Sequence, residues 1–267
     1  MSGSGNDFVM LDGRATKIED WSPAQVRTIC DRRRGVGADG LVILTPTSPE
    51  AVRMSYWNAD GSHGAMCGNA ALCSGRLARD LEMVAATEFC LLTDAGPVRV
   101  LSESSAGTPE INLPDFEIPG DFNLVPRSKG EQWMTLLRVG VPHLVVRVDD
   151  IEVVEPESRG RSLRYDPNMG PEGANVDFVS PATIRDETWM IRTYERGVEG
   201  ETLACGTGTV AAAMALATRG EATLPLRFRS RGGSELTVRG QVQSGHASEV
   251  WLGGEGQLVY RGVWEGV

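Results

Sequence analysis

Residues 207–218 read TGTVAAAMALAT, a run of small and apolar side chains with no polar face. A helix of that kind has no side it can leave in water, so it must be buried all round. The purely small or apolar part, residues 209–218, is too short to cross a bilayer, which needs about 20 such residues. The start of the chain, MSGSGNDFVM, has neither the cationic opening nor the apolar run of a secretory signal. These features predict a cytoplasmic protein with no membrane association. At 267 residues and 41% hydrophobic, the chain has material for one or two packed domains.

Other segments fall on either side of a break. Ser22-Pro23 predicts a first helix running toward Arg32, Arg33 and Arg34, whose cations suit a helix C-terminus. Strand patterns follow at 41–44 and 52–57, a helix at 68–81, then strands at 88–92, 97–101 and 110–113. Pro114, Pro119, Gly120 and Pro126 mark 114–130 as a linker. Strand patterns resume at 133–139, 143–148, 176–179 and 188–194. After the buried helix come 226–229, 235–238, 249–252 and 257–260. The two halves look alike, and each carries a Cys-Gly pair at the start of its main helix: Cys67-Gly68 and Cys205-Gly206.

Composition removes several chemistries. A net charge of −10 disfavours a general phosphate-backbone binder, so nucleic acid is not expected as a partner. Lys17 and Lys129 are the only lysines, and neither sits in a segment suited to a pyridoxal Schiff base. Five cysteines, Cys30, Cys67, Cys73, Cys90 and Cys205, form no disulfide framework. Together with His63 and His143 they show no paired zinc-ligand spacing, so no metal is expected. Gly35-Val36-Gly37-Ala38-Asp39-Gly40 matches a dinucleotide fingerprint in letters only. A helix precedes it and a strand follows, the reverse of the order that chemistry needs.

Cys67 and Cys205 are set apart by position. Unpaired amides and the positive dipole end collect at a helix start, favouring thiolate over thiol and attracting a carboxylate. Cys73 and Cys90 read as small core residues. Glu195-Arg196, ahead of Cys205, offers an arginine fork for a carboxylate. Asn6, Asn58, Asn69 and Asn175 all lie in loop-like segments.

The segments GSGNDFVMLDG (3–13), NADGSHGAMCGN (58–69), GANVDFV (173–179), ERGVEGETLACGTG (195–208) and GGSEL (232–236) together resemble the diaminopimelate epimerase family. The resemblance implies an α+β fold of two similar domains, each a mixed or antiparallel sheet wrapped around a central helix, with the active site in the cleft between. It places the halves at 1–116, carrying Cys67, and 117–267, carrying Cys205, with the 257–267 strand packing back on the first half. It implies cofactor-independent epimerisation of LL-2,6-diaminopimelate to the meso form, a step toward lysine and peptidoglycan, with Cys67 and Cys205 as acid and base on opposite faces of the Cα. Gly68, Asn69, Gly206 and Thr207 would hold the reacting carboxylate through backbone N–H groups. Asn6, Asn58, Asn175, Glu195 and Arg196 would bind the amino groups and distal carboxylate, with His143 in support. Diaminopimelate is the expected partner; a homodimer is left open.

Several positions depart from the family's pattern. Val141 stands where asparagine is usual, Ala70 and Leu72 where glycine and arginine are usual, and Gly40 where glutamine is common. The Glu195-Arg196 loop is one residue longer than its commonest form. The first strand is expected to be largely missing, as a misplaced start codon would produce. The alternatives are a racemase of another amino acid on the same fold, and an inactive protein that binds an amino acid.

Overall fold

A computed structural model describes residues 1–103, 108–183 and 186–265, and the side chains of 183 and 186–187 are not described. The chain forms two compact units, Met1–Ile111 with Gly253–Val267, and Asn112–Leu252. Among the described residues no helix is long and apolar enough to span a membrane.

In the first unit the strands are β1 (Ser2–Gly3), β2 (Asn6–Asp12), β3 (Gly40–Ser48), β4 (Ala51–Asn58), β5 (His63–Gly64), β6 (Glu88–Thr93), β7 (Gly96–Leu101) and β8 (Glu110–Leu113). The helices are α1 (Pro23–Cys30) and α2 (Gly68–Asp80). Strand β2 runs parallel to β3, β3 antiparallel to β4, β4 parallel to β6, and β6 antiparallel to β7. The first strand, expected to be largely missing, is the two-residue β1, which pairs antiparallel with β2. Ser22 caps α1 in a reciprocal box with Gln25, and Pro23 occupies the first helical turn, where its missing N–H costs nothing. That helix stops at Cys30, before the arginines. Asp31 takes the amides of Arg33 and Arg34, and Arg32 turns to Asp7 and Asp39. Val26, Ile29 and Cys30 pack on Leu41, Ile43 and Trp57, each large apolar side chain contributing about 1.5–3 kcal/mol by leaving water.

The second unit contains β9 (Phe116–Glu117), β10 (Glu131–Val139), β11 (Val141–Val148), α3 (Arg161–Arg164), β12 (Asn175–Thr183), β13 (Asp186–Glu195), β14 (Gly200–Thr202), α4 (Gly206–Thr218), β15 (Leu226–Ser230), β16 (Glu235–Gln243) and β17 (His246–Gly254). It repeats the first unit's plan. Strand β11 is parallel to β12, β12 antiparallel to β13, β13 parallel to β15, and β15 antiparallel to β16. As α2 lies between β5 and β6 in sequence, so α4 lies between β14 and β15. Helix α4 is buried from Gly208 through Leu216, as a helix without a polar face must be. It packs against β10, β11, β12 and β16. Leu144, Val146, Val176, Phe178 and Tyr194 form the neighbouring core.

The strand expected at 257–260 is absent. Ser2 and Gln257 form an isolated bridge, and Val259 and Tyr260 are exposed.

Candidate active site

Each unit presents its cysteine as the residue capping its main helix. Cys67 (φ −141°, ψ 125°) and Cys205 (φ −128°, ψ 111°) are extended, and their carbonyls accept from the amides of Ala71 and Thr209, both at 2.9 Å. The amides of the first turn therefore remain without intrahelical partners. Gly68 and Asn69 supply them in α2, Gly206 and Thr207 in α4. The two cysteines share this backbone and differ in what surrounds them.

Around Cys67 the side chains are amide, aromatic and ion-paired. Asn69 donates through Nδ2 to Asn6 Oδ1 at 2.7 Å, and Asn6 donates to Asp39 Oδ2 at 3.1 Å. Asp39 and Asp7 share Arg32, whose hydrogen bond lowers the Asp7 pKa. Asn69 Oδ1 is buried with no protein partner, an acceptor aimed at nothing in the described chain. Tyr56 donates its hydroxyl to Asn58 Oδ1 at 2.7 Å, and Asn58 donates to Ser62 at 2.9 Å. Burial raises the Tyr56 pKa, with the charge of Cys67 adding to it. Gly40 is explained by this ring: a Cβ there would lie 2.7 Å from Tyr56 Cε2 and 2.6 Å from the Trp57 carbonyl. A glutamine would not fit.

Cys205 sits among groups that carry protons. Parallel register sets His143 beside Asn175, and the β12–β13 register brings Thr193 opposite Asp177. His143 Nδ1 lies 2.7 Å from Asp177 Oδ2, with both side chains wholly buried. Thr193 donates to the other Asp177 oxygen at 2.8 Å. His143 Nε2 lies 3.0 Å from Thr207 Oγ1, which is 3.6 Å from Cys205 Sγ. Asn175 Oδ1 accepts the Arg196 amide at 2.7 Å, which turns its Nδ2 toward His143 Nε2 at 3.5 Å.

The electrostatics of Cys205 differ from the thiolate that a helix start alone would favour. Burial pushes its pKa up well beyond the ordinary thiol value, and Glu195 and Asp177 push in the same direction. The Gly208 amide and Thr207 hydroxyl work the other way and lose. Cys205 is therefore a thiol at rest, because desolvation outweighs the dipole. Burial also raises the pKa of Glu195.

The sequence-derived residues separate into the two units. Asn6, Asn58, Cys67, Gly68 and Asn69 belong to the first; His143, Asn175, Glu195, Arg196, Cys205, Gly206 and Thr207 belong to the second. Arg196 does not stand free, since its Nη1 lies 3.4 Å from Glu172, which also pairs with Arg138. Tyr56, Asp177 and Thr193 carried no assigned role in the sequence. A buried acid two residues after Asn175, on the same strand face, was the available signal for Asp177. Among the described residues, His143, Asp177 and Cys205 place donor atoms within 4.8 Å of one another. Both His143 nitrogens are already hydrogen-bonded, so a metal would have to displace Asp177 or Thr207.

The family model for diaminopimelate epimerase matches residues 1–111 and 135–250. A diaminopimelate epimerase of Gemmatimonas aurantiaca is 40% identical over 98% of this chain and 96% of its own. One from Aquifex aeolicus is 35% identical over 98% and 95%. Solved structures share the fold: a phenazine biosynthesis protein of the PhzF family from Bacillus anthracis has a TM-score of 0.70 at 14% identity, covering 95% of this chain and 91% of that one. A hydroxyproline epimerase from Agrobacterium vitis has a TM-score of 0.61 at 21% identity, covering 90% and 78%. The chain belongs to the diaminopimelate epimerase family, and its activity is epimerisation of diaminopimelate.

Proposed function

We propose that, in this member of the diaminopimelate epimerase family, Cys67 and Cys205 are the two acid/base groups, each serving one face of the reacting Cα. The observation that carries this reading is that each cysteine caps the main helix of its unit, beside first-turn amides left without intrahelical partners. One thiolate takes the Cα proton while the opposite thiol returns one, which inverts the centre. The negative charge that develops moves onto the α-carboxylate oxygens. The amides of Gly68, Asn69, Gly206 and Thr207 receive it there, fixed in place before the reaction begins.

Recognition is assigned by chemistry. Asn69 Oδ1, buried and unpartnered, accepts from an ammonium group, as does the carboxylate of Glu195. Arg196 exchanges its loose contact with Glu172 for the distal carboxylate, which its planar fork can grip in two places. Asn6, Asn58 and Asn175 complete the polar lining. No cofactor or metal is assigned a part. The acidic surface argues against nucleic acid as a partner, and five free thiols suit a cytoplasmic setting. Assaying LL-diaminopimelate conversion with wild type, Cys67→Ala and Cys205→Ala tests the reading: both variants should lose inversion while remaining folded. A panel of other amino acids, followed by Cα-proton exchange in D2O, tests the substrate. Faster exchange of a different amino acid would replace diaminopimelate with that compound.

A further inference from the structure

We propose that Asp39 is a positioning residue that fixes which way the Asn6 and Asn69 amides face, so that Asn69 offers an oxygen, not an N–H, to an ammonium group of the substrate. The inference rests on the reading above, in which Asn69 Oδ1 meets such a group. An amide side chain is a donor at one end and an acceptor at the other, so its direction matters as much as its position. A carboxylate paired with arginine has no hydrogen to give, and a chain of amides that starts on it can run only one way. Asp39 Oδ1 accepts from Arg32 Nη2 at 2.8 Å, and its Oδ2 accepts from Asn6 Nδ2 at 3.1 Å. Asn6 Oδ1 then faces Asn69 and accepts from its Nδ2 at 2.7 Å. This leaves Oδ1 of Asn69, a residue only 5% exposed, at the far end with no partner among the described residues. With the polarity reversed, the same position would present an N–H to a cation, a repulsive contact.

The surrounding chain is shaped to hold Asp39. The parallel strands β2 and β3 begin side by side here, and Asp7 and Asp39 take each other's amides. Asp39 N donates to Asp7 Oδ1 at 3.0 Å, and Asp7 N donates to Asp39 Oδ2 at 3.3 Å. Arg32 closes the ring, with Nη1 at 2.8 Å and Nη2 at 2.7 Å from the Asp7 carboxylate. Its approach accounts for part of the GVGADG segment: Gly37 has φ +83°, and a Cβ there would lie 2.8 Å from Arg32 Cα. The turn after α1 therefore folds over Arg32 and delivers Asp39 two residues later. Gly3 does the corresponding service for Asn69, since a Cβ at Gly3 would lie 2.7 Å from the Asn69 carbonyl oxygen. Strand β1 can then lie on the first turn of α2, and its pairing of Gly3 with Asn6 brings the two amides together.

The test exchanges acid and amide in the intact chain and follows epimerisation of LL-diaminopimelate. Asp39→Asn keeps the size of the side chain and an oxygen for Arg32, but turns an N–H toward Asn6 and so reverses both amides. The ion pair it removes is exposed and contributes little to folding. KM should rise about tenfold while kcat changes by less than about threefold, because the ammonium is bound alike in ground and transition states. Asn6→Asp alone sets two carboxylates against each other and should raise KM at least as far. The double variant, Asn6→Asp with Asp39→Asn, restores the polarity, since the carboxylate at position 6 again accepts from Asn69. Its KM should return to within about threefold of wild type, whereas losses from stability alone would add.

Wild-type KM in Asp39→Asn, or a double variant no better than Asn6→Asp, would overturn the proposal. Asn69→Leu separates it from the reading beneath it. A raised KM there beside an unaffected Asp39→Asn would overturn the role of Asp39 alone. Wild-type KM in Asn69→Leu would remove Asn69 from ammonium recognition, and the proposal with it. Should Asp39→Asn melt early by circular dichroism, the comparison of the double variant with Asn6→Asp decides.

Discussion

The two halves are one scaffold used twice with different side chains. Both place a cysteine at the N-cap of a helix that precedes the last strand of a parallel–antiparallel–parallel set. In the first half the strand ends carry Phe8, Gly40 and Asn58, and the Phe8 and Tyr56 rings meet edge to face at 6.2 Å. In the second they carry His143, Asn175 and, one step beyond the Val176–Tyr194 pair, Glu195. The next residue inward is Val42 in one half and Asp177 in the other. The backbone thus fixes where a thiol and its amides stand. The strand-end residues decide what surrounds that thiol.

The cysteines give the largest predicted effect. Cys67→Ala and Cys205→Ala should each reduce epimerisation by about 10²–10⁴-fold, the usual worth of a positioned acid or base. Loss at only one of them would mean that the duplicated scaffold is not duplicated in function.

Arg196 has no cationic counterpart at Ala59, the residue after Asn58. Arg196→Met should lower kcat/KM for diaminopimelate by roughly ten- to a hundredfold, since a charged hydrogen bond is worth about 1.5–3 kcal/mol. Steady-state kinetics on the variant check this, and wild-type values would remove Arg196 from distal recognition.

Swapping residues between the halves probes the comparison more finely. Gly208 in α4 matches Ala70 in α2, counted from the capping cysteine. Gly208→Ala should destabilise by about 1–3 kcal/mol, because its Cβ meets Asp177. Ala70→Gly should cost about 1 kcal/mol through backbone freedom alone. Denaturant melts of both variants should rank them in that order.

The smallest effect concerns Cys73, whose counterpart in α4 is Ala211. Burial pushes the Cys73 thiol up to about 12 and the Cys30 thiol up to about 11, from an ordinary 9.0. The folded state keeps these protons where the unfolded chain releases them. Their stabilisation is full below pH 9 and is lost as pH rises toward 11–12. Cys73→Ala should make the alkaline fall in Tm shallower than in wild type, as measured by melts between pH 8 and pH 11.

Much of this was legible in the sequence. Ser22-Pro23 announces α1, the absence of a polar face announces the burial of α4, and the two Cys-Gly pairs announce the helix starts. Where tertiary contacts decide, the sequence is silent or misleading. The cations of Arg32 and Arg34 suited a longer helix, but Asp7, Asp31 and Asp39 provide better partners. The stretch between the strand patterns at 143–148 and 176–179 carried no assignment, and there Pro156 and Pro167 open short helical turns. Asp177 lies in a strand whose pattern is otherwise core, and its hydrogen-bond partner is a histidine 34 residues away. The thiolate expected at Cys205 fails for a similar reason, since a helix start is local and burial is not.

The central claim is that the two thiols act as separate bases, one from each half. It is tested most directly by a single turnover of LL-diaminopimelate in D2O, with the label at each Cα read by NMR. The account predicts meso product carrying one solvent deuterium at the inverted carbon, because the hydrogen removed on one face is not the hydrogen delivered on the other. Product that retains the substrate's own hydrogen at that carbon would mean a single base returns it, and would contradict the account.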